Sequence, residues 1–343
     1  MIAFSTITDM RPAPGTVPTP AHYDGHVRLV QVAEELGYRT AWVSEQHGMD
    51  DGYLPSPLLA LSAFARETTT IRLGTGIVIL PFTQLRRLAQ DAGVLDVLSG
   101  GRLTLGVGSG VHPHEFRIYE RRLEDRGPAM EEGLAFLRTA FATGRAPQPD
   151  GLPLPVPPVQ RPLPLIVGGL VRPALDRAAR LADGHFGFGF YDPEEDLTRL
   201  YGNVIAPAME RHGRDASDFQ LIASTMVWAS EDWEREWRDH VGPAFQYQQR
   251  RYAEWAGGDD ADLPAFVTAS SWDLEEVRAR LMVGPPAEVA ERLSAIHAGY
   301  PFDEFVVWPT LPGVPHELAE QFVRTFATEV APAIGTSTGT AKG

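Results

Sequence analysis

Residues 71–116, IRLGTGIVILPFTQLRRLAQDAGVLDVLSGGRLTLGVGSGVHPHEF, decide how the rest of the chain is read. Residues 71–80 are an apolar, β-branched run broken by Gly74 and Gly76 and closed by Pro81, the pattern of a buried strand. Glycine inside such a strand marks a bulge or the close approach of another backbone or a ligand. From Leu85 onward the spacing turns helical. Leu85, Leu88, Ala89, Ala92 and Leu95 share one face, with Arg86, Arg87, Gln90 and Asp91 opposite. Ser99-Gly100-Gly101 stops that helix, and Arg102 opens a second strand that runs through Gly106, Gly108 and Gly110 into His112, His114 and Glu115. The unit is strand–helix–strand. It delivers titratable side chains just past the C-terminal end of a parallel strand, where α/β proteins carry their chemistry.

Outward from this unit the alternation repeats. Apolar runs at 2–7, 40–44, 163–167, 185–190, 219–228 and 304–308 read as further strands. Helical spacing follows at 26–36, 55–66, 172–181, 194–212, 285–297 and 317–330, and residues 115–143 are largely helical. Residues 146–164 carry prolines at 147, 149, 153, 155, 157, 158, 162 and 164, an extended excursion rather than a core element. After the seventh strand comes an insertion: a Trp-, Glu- and Arg-rich helical stretch to about Trp255, an acidic loop at 257–262 and a segment at 266–272. Eight strand–helix repeats without a Rossmann fingerprint predict a (β/α)8 barrel over residues 1–334, followed by a disordered tail at 335–343.

Composition excludes several classes of function. The 343 residues are 43% hydrophobic, enough for a large core. There are 45 acidic against 30 basic residues, and the one lysine, Lys342, sits in the tail. A net charge of −15 argues against nucleic acid or an anionic membrane as partner. No cysteine is present, which removes disulfides, thiolate metal sites and cysteine nucleophiles. The N-terminus has no basic leader and no apolar run is long enough to span a bilayer, so a cytoplasmic protein is expected.

The motifs leave alternatives open. Glycines at 106, 108 and 110 suggest a dinucleotide loop, but that fingerprint requires glycine at 111, where Val111 stands. His112-Pro-His114-Glu115 offers metal ligands of the kind that open hydrolase sites on barrels. Those barrels place the pair on the first strand and often add a lysine, so no metal site is assigned. Gly168-Gly169 lies between the fifth strand and a helix with Pro173 in its first turn. Free N–H groups and the positive helix end there suit a phosphate, with Arg172 alongside; an ordinary αβ turn has the same look. Phe186, Phe188, Phe190 and Tyr191, with Trp228, Trp272 and Trp308, line either an apolar pocket or the core.

GRLTLGVGSGVHPHEF at 101–116 resembles the signature of the luciferase-like flavin monooxygenases, GRF-x-LG-x-G-x-G…EF. WVSEQH at 42–47 and LPLIVGGLVRPALDRAARLADG at 163–184 resemble the same family, in the same order and spacing. The resemblance implies a barrel that binds reduced FMN and uses O2 to oxygenate a small organic substrate, with a separate reductase supplying the flavin. It also implies a homodimer formed through the helices after strands two and three. By resemblance, Gly76, Ile77, Gly108, Ser109, Gly168, Gly169 and Arg172 bind cofactor, and the Gly76–Ile77 peptide is cis in a bulge behind the ring. Some members carry an arginine where Ser109 stands, and Arg172 is the natural substitute. His47, Gln46 and Glu115 are the implied catalytic residues. Gln46 stands where many members have histidine, and an amide cannot shuttle a proton. An F420-dependent hydride-transfer oxidoreductase on the same fold and a metal-dependent hydrolase are the competing readings.

Overall fold

The computed structural model describes residues 2–189, 193–256 and 274–334. The expected features at 257–262, 266–272 and 335–343, and Phe190, Tyr191 and Trp272, lie outside the described residues. The strands are β1 (Ala3–Thr8), β2 (Thr40–Val43), β3 (Arg72–Thr75), β4 (Val78–Ile79), β5 (Leu103–Gly108), β6 (Leu165–Gly168), β7 (Gly184–Phe188) and β8 (Gln220–Ser224). Then come β9 (Val227–Ala229), β10 (Met282–Gly284) and β11 (Glu304–Val307). All pairings are parallel. The ring closes through β11 on β1 and through β5 on both β3 and its short continuation β4. The result is the expected (β/α)8 barrel with its surrounding helices.

Alternation of side chains sorts two cores. Outward-facing residues pack under the helices. On the helix Leu85–Ser99, Leu88, Ala89, Ala92 and Leu95 are buried, the face its spacing predicts. Inside the ring lies a small cluster of Ile7, Trp42, Ile166, Phe186, Ile222 and Val306. Trp42 occupies much of that space, and its Nε1 donates to Glu304 Oε1 at 2.8 Å. Glu304 Oε2 accepts from Gln220 Nε2 at 2.9 Å, so the buried carboxylate is satisfied on both oxygens. The room for Trp42 comes from β3. A Cβ on Gly74 would lie 2.3 Å from an indole carbon.

One element differs from the sequence reading. The run at 219–228 is not one strand. The barrel strand ends at Ser224, and β9 pairs with β10 in a separate two-stranded sheet. Trp228 is the reason. It is fully buried outside the barrel, stacked on Phe322 with ring centroids 4.6 Å apart, and its Nε1 donates to Glu236 Oε2. Trp228 is therefore core, not pocket wall. The proline-rich excursion straps the outside of the helix Leu85–Ser99, where Gly93 admits the Val156 carbonyl; a Cβ there would meet that oxygen at 2.2 Å. Among the described residues no helix is long and apolar enough to cross a membrane.

Gly74→Ala should lower stability by about 1–3 kcal/mol through overpacking against Trp42. Gly202→Ala, in a helix with nothing within 4 Å of the added carbon, should be neutral or stabilising. Urea denaturation of both variants measures the contrast, and equal effects would mean that Trp42 has room to move.

Candidate active site

The C-terminal ends of β2, β4, β5 and β6 make one rim, and it gathers the expected residues. Past β2 the chain carries Glu45, Gln46 and His47, all largely buried. Past β5 it turns at Gly110, φ +67°, into the helix Pro113–Ile118, whose first turn places Glu115 at zero exposure. Glu115 Oε1 accepts from the His47 backbone N–H at 2.9 Å, tying the two strand ends together. Its other oxygen is buried with no partner among the described residues. Burial pushes the Glu115 carboxyl up to about 7; the His47 N–H opposes this and the nearby Glu45 adds to it.

His47 is held from both sides. Nε2 contacts Glu45 Oε1 at 2.7 Å and Nδ1 contacts the Tyr119 hydroxyl at 2.9 Å. With the imidazole neutral, Nε2–H donates to Glu45 and Nδ1 accepts from Tyr119. Both ring nitrogens are thus engaged within the protein. Burial also raises the carboxyl of Glu45, offset by its contact with His47. Phe82 closes the group, stacked on Tyr119 at 4.5 Å and edge-on to His47 at 5.9 Å. Gln46 contributes a buried amide nitrogen without a partner among the described residues. Such a donor suits a ligand group.

Between β3 and β4 the Gly76–Ile77 peptide is cis, as the resemblance implies. The half-buried Ile77 side chain lies across the rim, and the glycines of β5 and β6 exist to receive it. A Cβ on Gly108 would meet Ile77 Cδ1 at 2.7 Å, and one on Gly168 would meet Cγ2 at 2.9 Å. Gly106 would strike the Thr75 carbonyl at 2.1 Å. The glycine pattern therefore serves internal packing of residue 77 first. Through residues 76–79 the rim is continuous: Ile79 N–H reaches Glu45 Oε1 at 3.4 Å, and Ile77 reaches Gly168.

Gly169 has φ +144°, a conformation closed to other residues, and leads into the helix Arg172–Leu181, which begins where the sequence places it. Arg172 is exposed at its first position; Ser109 is half-buried, its hydroxyl toward the Gly110 carbonyl at 3.3 Å. Under this turn lies His185, a residue the sequence did not single out. It is fully buried, and its Nε2 contacts the Gly169 carbonyl at 2.7 Å. Burial lowers its pKa to about 4, so it is a neutral N–H donor that fixes the turn.

A second group was not foreseen. Arg11, 2% exposed, forms an ion pair with Asp9 and stands 3.3 Å from Asp51. Gln248, from the insertion, donates to Asp9 Oδ2 at 2.8 Å. The guanidinium lies over the Tyr53 ring at 4.5 Å, and the Tyr53 hydroxyl meets that of Tyr252 at 3.1 Å. The contacts span 239 positions of sequence, and nothing local in the chain signals them. Of the aromatic wall, Phe186 packs edge-on to Trp42 inside the barrel, and Phe188 packs on Trp308.

The profile of the luciferase-like monooxygenases matches residues 2–301. The flavin-dependent trigonelline monooxygenase oxygenase component of Acinetobacter baylyi is 24% identical over 351 aligned positions, covering 92% of this chain and 91% of that one. Among solved structures, the monooxygenase RslO1 of Streptomyces bottropensis superposes with a TM-score of 0.83 at 22% identity, over 96% of this chain and 99% of that one. An F420-dependent secondary alcohol dehydrogenase shares the fold at a TM-score of 0.74 and 15% identity, over 97% and 99%. Fold alone does not choose between the two cofactor classes.

Glu115 gives a pH signature. Its folded pKa of about 7 exceeds the ordinary 4.5, so the stability it contributes is complete below 4.5 and is lost as pH rises through 7. Glu115→Gln should be nearly neutral at pH of about 4.5 and gain up to about 3 kcal/mol on the parent by pH of about 8. Denaturation at the two pH values tests this. A difference independent of pH would mean that folding leaves the Glu115 carboxyl unshifted.

Proposed function

Because the chain belongs to the luciferase-like monooxygenase family, we propose that it is a flavin-dependent oxygenase that uses reduced FMN and O2 to oxygenate a small organic substrate. One oxygen atom enters the substrate and the other leaves as water, the two electrons coming from the reduced flavin. A separate reductase supplies that flavin, and residues 1–334 act as one catalytic domain. The observation that carries the cofactor assignment is the Gly168-Gly169 turn, fixed by His185 and opening on the N-terminus of a ten-residue helix with Arg172 exposed beside it. Backbone N–H groups at such a terminus, together with one guanidinium, suit one phosphate.

The remaining residues fit a ring seated at the rim. Ile77 forms an apolar wall, while Gln46 Nε2 and Glu115 Oε2 are buried polar atoms with no partner among the described residues. Bound reduced FMN would supply the electrons that activate O2; the chain supplies position and dryness. Glu115, close to half-protonated at neutral pH, can hold or release a proton. His47, committed to Glu45 and Tyr119, keeps that end of the rim in one geometry. Exposed Leu59, Val94, Val97 and Leu98, on the helices Pro57–Glu67 and Leu85–Ser99, support a homodimer through those helices.

FMN is favoured over F420 on charge. F420 adds a polyanionic tail, and this acidic chain has serine at 109 and its one lysine at position 342. Reduced FMN should therefore bind more tightly than reduced F420 in anaerobic titrations followed by fluorescence. Arg172→Ala should weaken FMN by at least about 10-fold, the worth of one charge-assisted hydrogen bond, and leave riboflavin nearly unchanged. Submicromolar F420 binding without measurable affinity for reduced FMN would overturn the assignment and favour hydride transfer.

A further inference from the structure

Away from the rim just described, the first and last helices of the barrel bring three imidazoles together. His22 and His26 stand one turn apart on the helix Pro20–Glu35, and His316 is the first residue of the helix His316–Thr325. One ring nitrogen from each lies within 4.8 Å of the other two. The ring centroids are 4.6, 4.7 and 5.5 Å apart. A tetrahedral zinc ion with Zn–N bonds of about 2.0–2.1 Å separates its ligand nitrogens by roughly 3.3 Å. His22 Nε2 and His26 Nε2 are 3.2 Å apart.

The polar bookkeeping of the cluster does not close with protons alone. His22 Nε2 lies 2.9 Å from the Met10 carbonyl and 3.2 Å from His26 Nε2, and a single N–H cannot serve both well. His26 is 2% exposed, and its Nδ1 has no partner among the described residues. With the ring's proton on that Nδ1, the His26 Nε2 lone pair, 3.2 Å from His22 Nε2, is left for a water or an ion.

Gly25 supplies an independent observation. It sits in the first two turns of a helix, where glycine costs about 1 kcal/mol relative to alanine. A Cβ at this position would lie 2.7 Å from the His316 ring. The missing side chain is what lets His316 reach the other pair. The three histidines also border a cavity of about 210 Å³ that reaches Asp9, Arg11 and Thr310.

We propose that His22, His26 and His316 bind a zinc-class divalent cation that clamps the helix Pro20–Glu35 to the start of the helix His316–Thr325, with its remaining coordination position open to the cavity. Imidazole donors without a thiolate or a carboxylate suit zinc rather than calcium or magnesium. The site is separate from the flavin assignment and stands or falls without it.

The test uses the full-length chain without a histidine tag, dialysed against a chelator. Zn2+ is titrated in competition with a chromophoric chelator, and Co2+ by its visible absorbance. The expected result is one bound equivalent, a raised melting temperature, and the intense Co2+ bands of a low-coordinate nitrogen site. His22→Gln and His316→Gln should each weaken Zn2+ by about 10–100-fold or more. Gly25→Ala removes no ligand and favours the helix, so weaker Zn2+ binding with an intact fold would identify the ring position as the cause. The double variant His112→Gln/His114→Gln should bind as the parent does. Absence of stoichiometric binding, binding indifferent to His22→Gln and His316→Gln, or loss of binding only in the His112/His114 variant would each overturn the proposal.

Discussion

The constraint on which the molecule turns is the small volume inside an eight-stranded ring. Only a few large side chains fit there. This barrel admits Trp42 at the centre and Ile77 at the rim, and it does so by omitting side chains around them. Gly74 yields to the indole, and Gly108 and Gly168 yield to Ile77. Because these glycines sit on β3, β5 and β6, the space they leave is shaped by neighbouring strands in fixed register. A mobile side chain would make that shape soft. A missing one makes it permanent, and the rim residues inherit the rigidity.

Electrostatics is then arranged on that frame. An acidic chain concentrates two carboxyls, Glu45 and Glu115, within one buried group, and both respond by holding their protons more tightly. His47 stands between them, taking Glu45 at its ring and Glu115 at its backbone. Glu45 in turn adds to the upward shift of Glu115. The turn at Gly169 works differently. There a neutral histidine, kept neutral by burial, orients a carbonyl and leaves the positive end of the helix undiluted.

Much of this was legible in the sequence, for identifiable reasons. Period-2 runs and helical spacing are local, so the strand–helix alternation and the helix beginning at Arg172 could be read directly, while the bulge at Gly76–Ile77 came through the family resemblance. Residues 45–47 and Glu115 were marked by their place past strand ends. What escaped were the relations between distant positions. Tyr119 and Phe82 carry no pattern of their own, yet they complete the setting of His47. The ion pair of Arg11 depends on Asp51 and Gln248 as much as on Asp9. The run at 219–228 looks continuous because apolar residues facing the ring and facing a second sheet are chemically alike. Only the partner of Trp228 separates them.

The pairing of β1 with β11 governs how such a chain is made. Ala3 meets Glu304, so one flank of β1 stays without its neighbour until residue 304 has been synthesised. An open flank invites pairing with other nascent chains. The inward side of β1 carries Ser5 and the strand ends at Thr8, so the waiting edge is half polar rather than a continuous apolar ribbon. Arg11 and Asp9, two positions apart, carry opposite charges that the folded chain pairs directly. The first strand of the barrel is thus written to wait in water for the last.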